Sequence, residues 1–153
     1  MKREDKSIGR EMLRFNYTVG EIDALYHRAA VKLGLSDSAM AVLYTLQAEG
    51  GSCPITNICK LTGTGKQTVN SALRKLEREG IIVLEAAEGR QKRVSLTPEG
   101  VILAKSTVKK VTEAENRVFG SWSKEERSEY LRLTQRFLSA FKKEVEQMEK
   151  EEI

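Results

Sequence analysis

The chain has 153 residues and a formal charge of +4; 40% of it is hydrophobic and 31% charged, with two cysteines and one histidine. This suits one globular domain, or one with helical extensions, and excludes a disulfide scaffold and a four-ligand structural zinc site. No apolar run approaches the ~20 residues of a membrane span, and the start, MKREDKSIGREML, lacks the apolar stretch of a secretory signal, so a cytoplasmic protein is expected.

Apolar residues recur every three or four positions from about Ser7 to Leu33, at Ile8, Met12, Phe15, Val19, Ile22, Leu25, Ala29 and Leu33. That period predicts a helix with one apolar stripe, ended by Gly34. Ser36 or Asp37 caps a second helix to about Ala48, carrying Met40, Leu43 and Leu46 and stopped by Gly50-Gly51. A short third helix is expected from near Pro54, a residue favoured in first turns, to Gly63, with Ile55 and Ile58 as core contacts. The fourth spans about Lys66 to Glu79 and ends at Gly80. IIVLE (81–85) and RVSL (93–96) read as strands, and AAEGRQK between them, with Gly89 for a turn, makes a hairpin with a basic tip. Thr97 caps a single fifth helix that has Pro98 at its first position and Val101, Ala104, Val108, Val111 and Val118 as its stripe. Ser123 and Glu126 form a capping box for a sixth, with Tyr130, Leu133, Phe137, Phe141, Val145 and Met148 on one side. There is no low-complexity linker and no clear internal repeat.

The charge is localised. Between Lys60 and Arg93 lie eight basic and four acidic residues, and the remaining eighteen of each sign cancel. The whole excess therefore sits in one segment, which suits a polyanionic partner. The same segment contains TGTGKQT (62–68), whose Gly-Lys pair also occurs in nucleotide-binding loops. Such a loop needs glycine five positions before the second glycine and a hydroxyl after the lysine; here those positions hold Lys60 and Gln67. A nucleotide hydrolase is excluded on that spacing. No nucleophile–base pair, metal cluster or cofactor loop is visible, so no enzyme, metal or cofactor is expected.

On a wheel of roughly 100° per residue, Val69, Ala72, Leu73 and Leu76 of the fourth helix fall on one side. Gln67, Asn70, Ser71, Arg74 and Arg78 fall opposite. Those side chains hydrogen-bond to base edges, and none is acidic. A short helix, a glycine-containing turn and this second helix make a helix-turn-helix; the hairpin after it, tipped by Arg90, Lys92 and Arg93, makes it winged. Gly65 sits at the N-cap, where free amides beside Lys66 favour a phosphate oxygen. The expected partner is double-stranded DNA. The candidate contacts are Thr64, Gly65, Lys66, Gln67, Thr68, Asn70, Ser71, Arg74, Arg78, Arg90, Lys92 and Arg93.

This order of elements resembles the MarR family (multiple antibiotic resistance regulators). The stretch EGRQKRVSLTPEG is similar to the family's wing signature, with Arg90 as the wing arginine and Leu96, Thr97 and Gly100 as its Leu-Thr-x-x-Gly. ICKLTGTGKQTVNSALRKLEREGII resembles its helix-turn-helix ending in Leu-Glu-x-x-Gly, here Leu76, Glu77 and Gly80. Glu88, Gly65 and Thr62 stand where the family has Asp, Ser and Leu. The resemblance implies a mainly α (α+β) winged helix-turn-helix over 36–97, with dimerisation helices at 1–35 and 98–153. It further implies a homodimer on a palindromic operator, and a repressor released by a small, often aromatic, ligand. Candidate ligand-lining residues are Phe15, Tyr26, His27 and Tyr44. Two other readings stay open: a thiol-based redox regulator using Cys53 or Cys59, and a winged-helix module for protein contacts alone. The thiols otherwise read as buried and structural.

Overall fold

The computed structural model describes residues 2–63, 65–86 and 92–151. In chain order the elements are α1 (Lys2–Lys32), α2 (Asp37–Ala48), β1 (Ser52–Pro54), α3 (Ile55–Thr62), α4 (Lys66–Arg78), β2 (Ile82–Ala86), β3 (Lys92–Leu96), α5 (Pro98–Ser106), α6 (Val108–Gly120) and α7 (Lys124–Lys150). The fold is mainly helical, with one three-stranded sheet of order β1-β3-β2 and both pairings antiparallel. Two compact units divide the chain, residues 1–112 and 113–153.

Local chemistry sets the boundaries. Ser36 caps α2, its Oγ accepting from the Ala39 amide at 3.1 Å. At the end of α4, Gly80 turns left-handed (φ +73°) and the Ile81 amide reaches back to the Leu76 carbonyl at 2.9 Å. That closure satisfies carbonyls the helix would otherwise leave open and aims the chain straight into β2.

Two apolar clusters fill the first unit. One gathers Val42 and Leu46 of α2, Cys53 of β1, Ile58 of α3, Val69, Leu73 and Leu76 of α4, Ile82 of β2 and Val94 of β3. The other joins Ala30, Met40, Leu43, Ala104 and Val108. α2 runs through both, so the most hydrophobic of the expected stripes is the hub of the unit. α7 has no buried residue, and Tyr130, Leu133, Phe137, Phe141, Val145 and Met148 stand exposed along it. On α1 the stripe residues Ile8, Phe15, Val19, Ile22 and Leu25 are exposed as well, and among its described side chains only Ala30 is fully buried.

The structure corrects the sequence reading at three places. The expected single fifth helix is two, broken at Thr107 (φ −122°, ψ −90°). Ser106 and Thr107 both turn their hydroxyls onto the Leu103 carbonyl, at 3.0 and 2.6 Å, an alternative partner that competes with the helical ladder. Strand β1 was not expected; it is three residues long and pairs Cys53 with Val94. Pro54 is consequently the last residue of that strand and the N-cap of α3, rather than lying in its first turn.

The Thr97–Gly100 pair stitches wing to helix. Thr97 caps α5 by accepting from the Gly100 amide at 3.0 Å, and its hydroxyl donates to the Gly80 carbonyl at 2.6 Å. Its own amide donates to the Ile81 carbonyl at 3.0 Å. Gly100 is buried against that junction. A Cβ there would fall far inside contact with the Ile81 carbonyl oxygen, a backbone atom with no freedom to swing aside. An ordinary helical glycine gains up to about 1 kcal/mol on becoming alanine. Gly100→Ala should instead lose about 1–3 kcal/mol through overpacking. Thermal unfolding checks this; a melting temperature equal to or above that of the parent would contradict it.

Candidate nucleic-acid interface

α3 places its one fully buried residue, Ile58, into the first cluster and ends at Gly63, which is left-handed (φ +59°) with its amide on the Cys59 carbonyl at 3.1 Å. The chain then enters α4 through Gly65 (φ −64°, ψ 157°), an N-cap without a side-chain hydrogen bond. No acidic residue occupies the first turn. The α4 entrance thus offers backbone N–H groups and the positive end of the helix dipole, with exposed Lys66 beside them.

α4 is sided as its sequence requires. Val69, Leu73 and Leu76 are buried and Ala72 is half-buried. Gln67, Thr68, Asn70, Ser71, Arg74 and Arg78 are all exposed. Arg74, Arg78, Gln67 and Ser71 lie nearest the centre of the outward arc, with Asn70 on one flank and Thr68 on the other. Ser71 donates its hydroxyl to the Gln67 carbonyl at 3.0 Å, which leaves its oxygen to accept rather than donate. Lys75 is exposed and lies as near that centre as Asn70, roughly 70° away. It belongs with the candidate set, and the wheel that selected Asn70 could have found it.

Strand register corrects the wing. Glu85 stands opposite Arg93, and Ala86 opposite Lys92. Lys92 is exposed at the edge of the described hairpin. Arg93 does not tip it. Arg93 is half-buried, sits across from Pro54 of β1, and donates from Nη2 to Ser52 Oγ at 3.3 Å. Ser95 donates to the same Ser52 oxygen at 3.0 Å. Residues two apart on a strand share a face, so Arg93 and Ser95 lie together over β1, opposite the face where Val94 is buried. Thr64, Glu88, Gly89 and Arg90 lie outside the described residues.

The four aromatic candidates are spread along the first unit. Phe15 and Tyr26 are exposed on α1, and Tyr44 is half-buried against the second cluster. His27 is exposed, and its Nδ1 lies 2.9 and 3.0 Å from the two carboxylate oxygens of Asp37, linking α1 to the first turn of α2. A shallow hollow at the end of α1 is lined by Leu25, His27, Arg28, Ala29, Val31 and Lys32, and so takes in His27 among the four.

Cys53 is fully buried and Cys59 half-buried, both against the first cluster. Burial pushes the Cys53 thiol up from its ordinary range, the Glu49 carboxylate adds to the rise, and the Arg93 guanidinium partly offsets it. A raised thiol keeps its proton, so the folded chain holds a proton that the unfolded chain releases above about pH 8.5, and stability falls as pH rises beyond that point. The thiolate is the reactive form. In native protein at mildly alkaline pH, a thiol reagent should therefore modify Cys59 well before Cys53, with Cys53 reacting only as the fold opens. Peptide mapping at timed quenches checks the order; equal rates would contradict the burial of Cys53.

Comparison with known proteins agrees with this geometry. Residues 33–93 match the model of the MarR family. Among solved structures, a MarR-family transcriptional regulator from Silicibacter pomeroyi is 25% identical, with a TM-score of 0.65 over 82% of this chain and 86% of its own. NMB1585, a MarR family regulator from Neisseria meningitidis, is 23% identical, with a TM-score of 0.75 over 92% and 99%. MepR of S. aureus, solved as a complex with DNA, is 22% identical, with a TM-score of 0.61 over 84% and 96%. No curated protein matches the sequence. Residues 33–93 are thus similar to the MarR family, and the chain has the fold seen in the MarR-family regulators of Silicibacter pomeroyi and Neisseria meningitidis.

Proposed function

We propose that the protein is a homodimeric, sequence-specific DNA-binding regulator that acts in the cytoplasm as a repressor released by a small ligand. The observation that carries this is the outward face of α4: Gln67, Asn70, Arg74 and Arg78 are exposed while Val69, Leu73 and Leu76 are buried behind them. Arginine reads guanine and asparagine or glutamine reads adenine from the major groove, which has the width to admit a helix. Lys66 and the α4 amides take a backbone phosphate, and Lys75 takes a second. Lys92 and Arg90 carry the wing to the neighbouring backbone or minor groove. Arg93 steadies the wing from its root against Ser52. MepR, of the same fold, is complexed with DNA. A further regulator of this fold, BpsR of Bordetella bronchiseptica, has its DNA binding regulated by 6-hydroxynicotinic acid. That supports a small aromatic effector, for which Phe15, Tyr26, His27 and Tyr44 are the proposed lining. Burial of Cys53 disfavours the thiol-switch alternative.

The dimer rests on a different observation. Residues 36–97 form the DNA-binding domain in this reading, and 1–35 with 98–153 form the dimerisation layer. The run of exposed apolar residues along α1, and a separate run along α7, each read as an interaction face rather than as scattered exposure. A second copy with the same stripes is the occupant that closed symmetry supplies. Replacing Phe137 and Phe141, whose rings stack at 5.5 Å, with aspartate should dissociate or unfold the protein. Sedimentation velocity checks this; a stable native monomer of the parent chain at micromolar concentration would contradict it.

For the reading helix, Asn70→Ala and Arg74→Ala should each weaken binding to the specific site by about 1–3 kcal/mol and change binding to scrambled DNA less. Titrations on both duplexes decide. Equal losses on both would reassign these side chains to phosphates, and no loss on either would remove α4 from the interface.

A further inference from the structure

The bases present two kinds of group to the major groove besides the purine N7. Adenine and cytosine carry an exocyclic amine, which donates; guanine and thymine carry a carbonyl oxygen, which accepts. A serine hydroxyl free to turn can serve either kind. On the exposed face of α4 the hydroxyl of Ser71 is already committed. It donates to the Gln67 carbonyl at 3.0 Å, and the direction of that bond is fixed, because a carbonyl oxygen has no proton to give. What Ser71 shows to solvent is therefore an acceptor.

Its neighbours make this acceptor an exception. Arg74, Arg78, Lys66 and Lys75 are exposed and have only donors. The carboxamides of Gln67 and Asn70 offer a donor and an acceptor side by side. Aspartate or glutamate would be the usual partner of a cytosine amine, and no carboxylate stands anywhere from Lys66 to Leu76. Among Gln67, Asn70, Ser71, Arg74 and Arg78, Ser71 alone can only accept. It also lies in the first half of α4 (Lys66–Arg78), the half that faces base edges when such a helix enters the groove.

We infer that Ser71 is a specificity determinant, selecting adenine or cytosine over guanine or thymine at one position of each half-site. The inference rests on the reading of α4 as the helix that enters the groove. Accepting from a base amine requires no movement and keeps the bond to Gln67. Donating to a base carbonyl requires the hydroxyl to abandon Gln67 first. An unmoved hydroxyl would meet that carbonyl oxygen to oxygen, with no proton between them.

The test selects duplexes from a random pool with the full chain and with Ser71→Ala, and sequences both sets. The parent should enrich adenine or cytosine at one position of each half-site by about tenfold, within the range of an ordinary mismatch. Ser71→Ala should lose that preference and keep the others. Alanine favours a helix more than serine does, so the variant should unfold at the parent's temperature or slightly above it. A second arm uses the selected duplex with 2-aminopurine in place of that adenine, or pyrimidin-2-one in place of that cytosine; neither has an amine on the major-groove edge. The parent should bind the altered duplex about tenfold more weakly, whereas Ser71→Ala should bind both duplexes equally. Identical selected profiles for the two proteins, or a Ser71-dependent preference for guanine or thymine, would overturn the inference while leaving α4 as the reading helix. Enrichment of no sequence by the parent would overturn both.

Discussion

The placement of the candidate DNA contacts along α4 depends on one packing event, the burial of Val69, Leu73 and Leu76 beneath α2, α3 and the sheet. A helix has one rotation about its axis at which its apolar stripe meets the core. Each of these side chains stabilises that rotation by about 1.5–3 kcal/mol relative to exposure. Turning α4 by a third of a circle would expose the stripe and bury arginines without partners, a cost the domain could not carry. The outward direction of Gln67, Arg74 and Arg78 therefore follows from residues that touch no partner. The same burial explains why α4 tolerates a weak start at Gly65: packing, not capping, holds the helix.

The second constraint is the junction at Ile81. Two consecutive residues, Gly80 and Ile81, are held on both sides: their amides donate to the Glu77 and Leu76 carbonyls in the Schellman closure, and their carbonyls meet the Thr97 hydroxyl and amide and the space left by the missing Cβ of Gly100. The end of α4, the base of the wing and the start of α5 are thus fixed to one another through backbone atoms. Arg93 adds a tie on the other side of the wing, to Ser52 of β1. The hairpin is consequently held on both edges of β3, which sets the direction in which Lys92 projects.

Much of this was legible in the sequence. Helices α1, α2, α4 and α7 announce themselves by a period near 3.6, and the caps of α2, α5 and α7 are local chemistry: Ser36, Thr97 and the Ser123–Glu126 box all bond as their spacing implies. The two sides of α4 were equally legible, because its stripe and its polar face do not mix. The misses share a cause. β1 is three residues long and is defined as a strand by pairing with β3, about forty positions away, so nothing local marks it. The break at Thr107 needs two hydroxyls to choose the Leu103 carbonyl over the helical ladder, while the apolar spacing of Ala104 and Val108 continues across it undisturbed. Arg93 looked like a tip residue because charge runs suggest exposed turns; its register in the ladder, and the serine that β1 supplies, are tertiary facts. Lys75 shares Asn70's angular distance from the centre of the outward face, so angle alone, without residue type, places it there.

The central claim is that two copies of α4, oriented by their buried stripes, read two half-sites on one face of a DNA duplex. Nuclease footprinting of the purified protein on the DNA upstream of its own gene tests it most directly. The account predicts two protected patches related by an inverted repeat, their centres one helical turn or about 10 bp apart, fading together as salt rises. A single patch without inverted symmetry, or no protection at any salt concentration at which the protein stays folded, would contradict it.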